Sequence, residues 1–483
     1  MVKVPLSMQV LIPLERGREP LSRQIYAGLR HGVLAGTFGA GERLPSTRDL
    51  AEQLGVSRTV VVLAYEQLLS EGFVVGRVGA GTYVPAGLTA APAGDGPPPV
   101  RPRLSRFGAF AADVRSAVEF PAPRPATPRF DFAYGRSDVD CFPFEHWWRL
   151  LHRCARRTAV RGLDYGHAAG IDALREAIAA HLRRSRSVAC DAAQVVVVNG
   201  SQQALDLVAR VLIERGDRVV IEDPLYQGTR VVLRAAGARV TAVPVDRDGL
   251  DPAALPARAR LLFVTPSHQY PTGAILPLSR RQALLQWAER ADALIVEDDY
   301  DGEFRYDGRR LESLQGLDRR GRVLYVGTFS RTIFSALRIG YVIVPPALVA
   351  AFTAAKWLCD RHTATLEQET LAEFIGSGRY ERHLRHLRRR SAVAREALLD
   401  ALRRHVGDRV EVTGDGAGAH VVLWLGSRSE AAVVAAAAAR GVGVYGIAPY
   451  FATRPARPGI ILGYSRMRVA DIREGVKRLA AVL

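Results

Sequence analysis

The chain has 483 residues, of which 48% are hydrophobic and 24% charged, a soluble globular balance in a chain too long for one ordinary domain. No apolar run approaches the roughly 18 residues needed to cross a bilayer, and the N-terminus lacks a basic-then-apolar signal pattern, so we expect a cytoplasmic protein without membrane contact. The four cysteines have no paired spacing, which disfavours a disulfide framework or a metal site.

The formal net charge of +17 suggests a nucleic-acid partner, but its distribution does not locate one. Residues 1–85 carry nine basic and seven acidic side chains, and residues 86–130 carry six and three. Most of the positive excess therefore lies after residue 130. Since only three of the 66 basic residues are lysines, a general preference for arginine explains part of this charge. The case for a DNA partner has to rest on the pattern of helices.

Residues 19–85 show the pattern of three short helices followed by a two-stranded wing. Apolar positions at helical spacing predict the first helix. A capping pattern at Ser46 begins the second helix, which ends at Gly55, and Ser57 is a good N-cap for the third. Two helices joined by so short a turn predict a helix-turn-helix.

The wing is predicted from short strands at 73–75 and 82–84, which are joined by a glycine-rich turn containing Gly79. The unbroken stretch that leads up to this wing reads GERLPSTRDLAEQLGVSRTVVVLAYEQLLSEG. It resembles the GntR-type winged helix-turn-helix, and the similarity covers nearly all of residues 19–85. The resemblance implies a domain that binds double-stranded DNA.

The same resemblance implies which residues meet DNA, at the start of the third helix, on the second helix and near the wing. They are Arg43, Arg48, Ser57, Arg58, Thr59 and Gly79. The N-terminal end of a recognition helix offers N–H groups to phosphate, and an arginine can reach a guanine edge with two hydrogen bonds. An isolated arginine is more often a solvated surface residue, but the surrounding motif favours the DNA interpretation. Tyr65 we assign to helix packing.

Residues 86–130 are rich in proline and are predicted to form an extended, semi-rigid linker with one short apolar patch near Phe107. From 131 to 483, buried apolar strands alternate with helices, which predicts an α/β domain with a mainly parallel sheet. From about Leu366 we expect a long arginine-rich helix and then a smaller α/β subdomain. A sheet of this kind binds ligands at the carboxyl ends of its strands.

One motif in this domain has the layout of a phosphate-cofactor site. An apolar strand runs into a Gly/Ser/Thr turn with two arginines, Arg331 and Arg338, in the stretch VLYVGTFSRTIFSALRIGY. Together with the stretches VVVVNGSQQALD, TPSHQYPTG and IVEDDYDGEFRY, it resembles the pyridoxal-phosphate domain of the aspartate aminotransferase fold, fold type I. The resemblance implies pyridoxal 5'-phosphate as the cofactor.

The residues that the resemblance assigns to the cofactor are Ser201, Gln202, Tyr226, Asp298, Tyr300, Thr328, Ser330, Arg338 and Tyr165. Ser201 and Gln202 open a helix whose N–H groups suit an anion, and Arg338 can grip the same phosphate with two hydrogen bonds, aided by the Thr328 and Ser330 hydroxyls. Asp298 would keep the pyridine nitrogen protonated, Tyr300 would bond the ring hydroxyl, and Tyr226 would stack. Tyr165 would reach the phosphate of a neighbouring subunit, which implies a homodimer.

Taken singly, a Ser-Gln turn or a strand-end aspartate is more often a cap or turn residue, so the assignment depends on their joint order. For His268 and Gln269, the sequence favours a structural hydrogen-bonding role and a cofactor role equally. The winged helix, the linker and this body together resemble a MocR-type transcriptional regulator along almost the whole chain. That family implies a large domain that dimerises and senses pyridoxal phosphate with an amine or amino acid, usually without turnover.

Arg331 departs from the family pattern, because the family has there the lysine that forms an imine with the cofactor. A guanidinium is protonated at any relevant pH and is not a nucleophile. We therefore expect the cofactor to bind non-covalently or to have been lost, and the effector to be an amine, an amino acid or a preformed cofactor adduct. The carboxylate-binding arginine of aminotransferases is not clearly kept either, with Arg457 as the nearest candidate.

Two other functions stay open beside the regulator. An aminotransferase-type enzyme with an appended DNA-binding domain is the alternative, but without the lysine it has no group to move the substrate proton. The second alternative is a large domain that only dimerises and binds no small ligand. The joint presence of Ser201, Asp298, Tyr300 and Arg338 argues against it, because packing alone does not require this set.

Overall fold

The computed structural model describes residues 10–17, 19–87, 103–114, 128–135, 137–157, 164–306 and 311–483. The chain forms two compact units, Met1–Leu104 and Ser105–Leu483. Of the prolines that predict the linker over 86–130, all but Pro128 lie outside the described residues. Within the described ranges, no helix combines the length and the apolar character that a membrane span requires.

The first unit has the predicted helix-turn-helix and wing. Its elements are α1 (Leu21–Leu34), α2 (Thr47–Leu54), α3 (Arg58–Ser70), β1 (Val75–Arg77) and β2 (Gly81–Tyr83). The Asp49 N–H donates to Ser46 Oγ at 3.2 Å and so caps α2, which ends at Gly55 with a φ of 62°. One apolar core, which includes Ile25, Leu29, Leu50, Val61, Tyr65 and Leu68, holds the three helices together.

Two details differ from the sequence prediction. The first strand of the wing begins at Val75, two residues later than expected, since Val74 is buried in the helical core. Ser57 holds the N-cap position of α3, but its side chain makes no capping hydrogen bond. The assignment of Tyr65 to packing is supported, because it is 3% exposed and its hydroxyl donates to the Pro45 carbonyl at 2.8 Å.

The second unit alternates strands and helices. Its strands are β3 (Phe130–Asp131), β4 (Val195–Val198), β5 (Arg218–Asp223), β6 (Arg239–Asp246), β7 (Gly249–Leu250), β8 (Leu261–Val264), β9 (Leu294–Asp298), β10 (Val323–Thr328), β11 (Gly340–Ile343), β12 (Glu411–Thr413), β13 (His420–Trp424), β14 (Val442–Gly443), β15 (Tyr445–Gly446) and β16 (Gly459–Gly463). Its helices are α4 (Arg106–Val114), α5 (Phe144–Arg157), α6 (Asp172–Arg186), α7 (Ser201–Leu212), α8 (Gln227–Ala235), α9 (Leu278–Ala291), α10 (Leu314–Leu317), α11 (Val349–Asp360), α12 (Thr365–Gly376), α13 (Arg379–His405), α14 (Glu430–Ala438) and α15 (Val469–Ala480).

An eight-stranded sheet in the order β4-β11-β10-β9-β8-β5-β6-β7 forms the centre of this unit. Strands β10, β9, β8, β5 and β6 run parallel, whereas β11 and β7 are antiparallel to their neighbours. Because apolar cores cover both faces of the sheet, its strands consist of continuous apolar runs such as Val195–Val198. The prediction of a mainly parallel sheet of the aminotransferase type is confirmed.

The register of this sheet brings distant motifs to one edge. Asp298 lies opposite Val326 in β10, and Gly340 lies opposite both Thr328 and Val198. The carboxyl ends of β4, β9 and β10 therefore open at the same side of the sheet, as expected for a ligand site.

The C-terminal subdomain contains a four-stranded sheet, β12-β13-β16-β15, with α13 packed against α15. The region after Leu366 is not one long helix as predicted. It is divided into α12 and the 27-residue α13, and the break occurs at Gly378, whose φ of 71° is left-handed.

The described part of the predicted linker contains helix α4, where we expected an extended chain. It packs on α8, with the Arg234 guanidinium 5.5 Å from the Phe110 ring centroid. The contact is made by Phe110, whereas Phe107 is exposed.

Candidate functional site

The residues predicted to meet DNA are all exposed on the small unit. Arg58 Nε donates to Thr47 Oγ1 at 3.4 Å, which joins the first turn of α3 to the first turn of α2. Since the Ser57 side chain makes no cap, its hydroxyl is available to an external partner. The start of α3 thus presents a hydroxyl, a guanidinium and the N–H groups of a helix N-terminus together.

The wing brings two arginines close to its turn. The Arg43 guanidinium lies so near Gly81 that a Cβ there would be 2.9 Å from Arg43 Nε, and Gly81 has a φ of 110°. The Arg77 guanidinium stacks on the Tyr83 ring at 4.6 Å, and Gly79 has a φ of 73°. Arg77 is a candidate DNA contact that the sequence analysis did not name.

In the large unit, Gly200 and Arg338 form one end of a pocket at the N-terminus of α7. Gly200 has a φ of 85°, and Arg338 Nη2 donates to the Asn199 carbonyl at 2.8 Å. A Cβ at Gly200 would lie 2.8 Å from the same nitrogen, so this close approach requires glycine. The first N–H groups of α7, from Ser201 and Gln202, have no acceptor within the helix. Glycine, helix terminus and guanidinium together suit a phosphate.

A hydrogen-bond network behind this turn holds it in place. Asp360 Oδ2 accepts from Asn199 Nδ2 at 2.6 Å and from Gln203 Nε2 at 2.7 Å, and Asp360 Oδ1 pairs with Lys356. Lys356 is fully buried, and this pairing compensates its charge. Asp360 is a positioning residue at the end of α11, far along the chain from the turn, and no local motif identifies it.

Asp298 lies at the end of β9 and has the properties expected for a ring-nitrogen partner. Its Oδ1 is buried and has no hydrogen-bond partner among the described residues. Burial, with the nearby charges of Asp299 and Glu222, raises its pKa to about 7. An unpartnered carboxylate in this position fits a protonated pyridine nitrogen.

Tyr226 connects the two ends of the pocket. Its hydroxyl donates to Gln202 Oε1 at 3.3 Å beside the α7 turn. Burial raises its pKa, the charge of Asp298 raises it further, and the charge of Arg338 lowers it, so both groups lie close enough to act on the same phenol. The structure therefore brings Tyr226, Asp298, Gln202 and Arg338 close to one another.

Arg331 is buried and is compensated by groups of the protein itself. Its guanidinium carbon lies 4.4 Å from the centroid of the Tyr134 ring, and its Nε donates to Asp301 Oδ1 at 3.4 Å. Asp301 Oδ2 accepts from the Tyr134 hydroxyl at 3.3 Å and from the Ala419 N–H at 3.2 Å. Arg331 Nη1 is buried without a hydrogen-bond partner among the described residues. One donor of the cation is thus left for a ligand.

Two buried histidines lie beside this pair. His268 Nδ1 lies 3.1 Å from the Tyr300 hydroxyl, and donor atoms of His268, Asp301 and His420 lie within 4.8 Å of one another. Burial lowers the pKa of both imidazoles. The Arg331 guanidinium bonded to Asp301 disfavours a divalent cation here, so we assign the cluster to the polar lining of the pocket.

Several other predicted residues make contacts of a different kind. Ser330 N–H donates to Thr328 Oγ1 at 3.1 Å, a bond within the turn that follows β10. Gln269 is buried, and its Nε2 donates to the carbonyls of Pro224 and Tyr270, which supports the structural role. Arg457 is paired with Glu411 and lies over Trp424, so it offers no free guanidinium to a carboxylate.

Tyr165 is 73% exposed, with the Arg361 guanidinium stacked on its ring at 4.3 Å. It is bonded to none of the phosphate-turn groups of its own chain that are described above. Its role toward a neighbouring subunit stays a prediction. Of the residues that the sequence analysis did not assign to the site, Asp301 lies within the quoted stretch IVEDDYDGEFRY, whereas Tyr134 has no local signal and joins the pocket only through the fold.

Two families match the chain: "Bacterial regulatory proteins, gntR family" over residues 21–84 and "Aminotransferase class I and II" over residues 131–472. The "Probable rhizopine catabolism regulatory protein MocR" of Rhizobium meliloti is 40% identical, over 97% of this chain and 95% of that protein. The HTH-type transcriptional regulator TauR of Rhodobacter capsulatus is 34% identical over 99% of each chain. Among solved structures, the α-aminoadipate aminotransferase LysN of Thermus thermophilus, complexed with N-(5'-phosphopyridoxyl)-L-leucine, is 29% identical with a TM-score of 0.68, covering 77% of this chain and 94% of that one.

Proposed function

The chain belongs to the MocR-type DNA-binding transcriptional regulators, which join a GntR-type winged helix to an aminotransferase-like domain, and on that premise we propose that the large domain senses pyridoxal phosphate or an adduct of it without a covalent bond. One observation carries the proposal. The pocket has a phosphate turn and an unpartnered ring-end carboxylate, and Arg331, which we take to stand where the family has its lysine, is buried against Asp301 and Tyr134.

The contacts available to the cofactor come from both ends of the pocket. The N–H groups of Ser201 and Gln202 and the Arg338 guanidinium would hold the phosphate, and Asp298 would hold the ring nitrogen. Tyr226 would cover one face of the ring. When bound, pyridoxal phosphate supplies an aldehyde that reacts reversibly with amines. These contacts would orient the cofactor.

The absence of a suitable amine supports non-covalent binding without turnover. The chain has three lysines. Lys356 is fully buried and paired with Asp360, Lys477 is on α15 of the C-terminal subdomain, and Lys3 lies outside the described residues. A protonated guanidinium can neither attack the aldehyde nor accept a substrate proton. We therefore expect no transamination.

The charge of Arg331 also selects among effectors. A fixed cation repels an incoming ammonium group and attracts a carboxylate, and Arg331 Nη1 still has a hydrogen bond to give. The effector class that fits best carries a carboxylate and no free ammonium group. A preformed adduct of pyridoxal phosphate with an amino acid meets both conditions, because the amine is already bonded to the cofactor.

A visible spectrum of the purified protein, with and without pyridoxal phosphate, tests this proposal, followed by borohydride reduction and intact mass measurement. The native protein should bind the cofactor reversibly and show no added mass after reduction. Arg331→Lys should gain a visible absorption band and a reducible bond at residue 331, because the other contacts are in place. Arg331→Met, which supplies no amine, is the matched control.

Two outcomes would contradict the proposal. Added mass on the native protein, for instance at Lys356, would show that covalent binding survives without a lysine at 331. If Arg331→Lys binds no cofactor at all, the pocket has decayed and the large domain is only a scaffold.

We also propose that the large domain, residues 131–483, forms the homodimer, because the cofactor site of this fold takes a residue at the Tyr165 position from the second subunit. The exposed Tyr165 ring supports this. Light scattering at micromolar concentration should give twice the chain mass of 52.6 kDa, and a monomer would contradict the proposal.

A further inference from the structure

The arginines of α13 divide into two sets. Arg388 is paired with Glu303, and Arg390 Nε lies 2.9 Å from Asp138 Oδ2, so both are neutralised by the body of the domain. The others on the outer surface of the first half of this helix are exposed, and within the described residues none of them is within 4.0 Å of a carboxylate oxygen. They are Arg379, Arg382, Arg385 and Arg389.

The spacing of these unpaired arginines places them on one side of the helix. At about 100° per residue, positions 379, 382, 385 and 389 fall within an arc of roughly 120°. The stripe from Arg379 to Arg389 rises by about 15 Å at 1.5 Å per residue, and phosphates of one DNA strand follow each other at about 3.4 Å along the axis. The stripe therefore matches the length of about four phosphates of one strand.

A second set of arginines extends this surface on α5. Its members are Arg149, Arg153, Arg156 and Arg157, and all are exposed. Glu373 is the one side-chain carboxylate paired with them in the described part of the chain, at 2.7 Å from Arg153 and 3.7 Å from Arg157. The set therefore keeps a strong positive excess.

His146 shows that the two sets form one continuous surface. It lies on α5 and lines the same cavity as the α13 stripe, and the positive charges of Arg379, Arg149 and Arg153 add to burial in lowering its pKa. A cavity of about 510 Å³ beside His146 is lined by the arginine stripe of α13. We call the eight arginines of the two helices the basic face.

We propose that the basic face binds the phosphodiester backbone of double-stranded DNA, as a second contact in addition to that of the winged helix. The positive excess of the chain lies mainly after residue 130, and a stripe of unpaired arginines with the length of several phosphates suits binding to a DNA backbone. A two-fold copy of the chain docked on this face would oppose arginine to arginine, which disfavours it as the dimer interface. The proposal does not depend on the cofactor.

The test compares the full chain with a variant in which the α13 stripe is neutral: Arg379→Gln, Arg382→Gln, Arg385→Gln and Arg389→Gln together. Glutamine keeps the helix propensity and removes the charge. A control variant changes four exposed arginines that line none of this surface and have no ion pair among the described residues: Arg290→Gln, Arg319→Gln, Arg466→Gln and Arg473→Gln. The probe is a mixed-sequence duplex of about 40 base pairs, titrated by fluorescence anisotropy between about 50 and 200 mM salt.

The stripe variant should bind the duplex at least about tenfold more weakly, and its slope of log affinity against log salt should fall by about 2 to 4, as for the loss of two to four phosphate contacts. The control variant should stay within about twofold of the native protein, because its arginines meet no phosphate. Arg58→Ala, which removes a winged-helix contact, should keep most of the salt slope that the basic face supplies.

An equal loss in both quadruple variants would overturn the proposal, since it would show an effect of net charge alone. Unchanged binding by the stripe variant would overturn it as well. A stripe variant that scatters light with a different mass from the native protein would place the face at a subunit interface instead.

Discussion

The DNA-binding unit and the large domain hold their candidate functional side chains under opposite conditions. In the small unit, Arg48 and Arg58 are exposed and lie near each other in the sequence. In the large domain, Arg331, Asp301 and Tyr134 come from distant parts of the chain and are packed together away from water. The first arrangement needs only a correct helix surface, whereas the second needs the whole tertiary fold.

This difference in exposure determines how strongly each site affects the free energy of unfolding. An exposed guanidinium remains hydrated, so its removal leaves the free energy of unfolding almost unchanged. A buried guanidinium is tolerated only while a carboxylate and a ring face compensate it, and the loss of a partner leaves an unpaired charge in the interior. Substitutions should therefore change binding alone in the small unit and stability as well in the large domain.

The substitution with the largest expected effect is Arg58→Ala, which should impair DNA recognition. Specific operator binding should be abolished, a loss on the order of 4 kcal/mol or more, while the melting temperature stays the same because Arg58 is exposed. Arg48→Ala should weaken binding by about 1 to 3 kcal/mol if it contacts a base. Gel-shift titration and thermal unfolding measure the two properties, and unchanged operator affinity of Arg58→Ala would count against the recognition assignment.

Asp301→Ala should lower the free energy of unfolding by about 3 to 5 kcal/mol, because it leaves the buried Arg331 without its carboxylate. The matched control is Asp246→Ala, which breaks the partly exposed pair with Arg280 and should cost about 1 kcal/mol or less. Urea unfolding measures both. Addition of Arg331→Met to Asp301→Ala should recover part of the loss, and equal losses for the two aspartates would refute the compensation of Arg331.

Arg338→Gln should weaken pyridoxal phosphate binding by about 1.5 to 3 kcal/mol, since it removes a charged donor to the phosphate. Stability should be unaffected because the Arg338 side chain is exposed. Fluorescence titration with pyridoxal phosphate measures the loss, and pyridoxal without the phosphate is the ligand control. An equal effect on both ligands would mean that Arg338 does not bind the phosphate.

Asp298→Asn should stabilise the protein by up to about 4 kcal/mol at pH 7.5 and have almost no effect near pH 3. The folded pKa of Asp298 is raised to about 7, mainly by burial, from an unfolded value near 4. Below pH 4 the carboxyl is protonated in both states, so it costs nothing. Between pH 4 and 7 only the unfolded chain loses the proton, so the native stability contributed by this group falls as pH rises and is lowest above 7.

Urea unfolding of the native and Asp298→Asn proteins across this range measures the effect. A pH-independent difference would mean that Asp298 is solvated, which would weaken its assignment to the ring nitrogen. The same substitution should reduce cofactor affinity, so that stability and binding change in opposite directions.

The sequence by itself determined the local elements and the chemistry attached to them. The Ser46 cap, the Gly55 end of α2 and the start of α3 depend on residues within a few positions of each other, so their pattern predicts them. The positions of Ser201 at the start of α7 and Asp298 at the end of β9 were also predictable, because each lies at an element boundary in a recognisable motif. The arginine at 331 is visible in the sequence, and its inability to form a covalent bond follows from its chemistry.

Only the tertiary structure decided how that arginine is accommodated. Tyr134 and Asp301 meet it because the chain segment near β3 returns to the edge of the central sheet, and neither contact has a counterpart in local spacing. The Asp360 network behind the phosphate turn and the division of the α13 arginines into paired and unpaired sets arise in the same way. Burial and the pairing of charges are properties of surfaces brought together by folding, so a linear pattern of residues does not contain them.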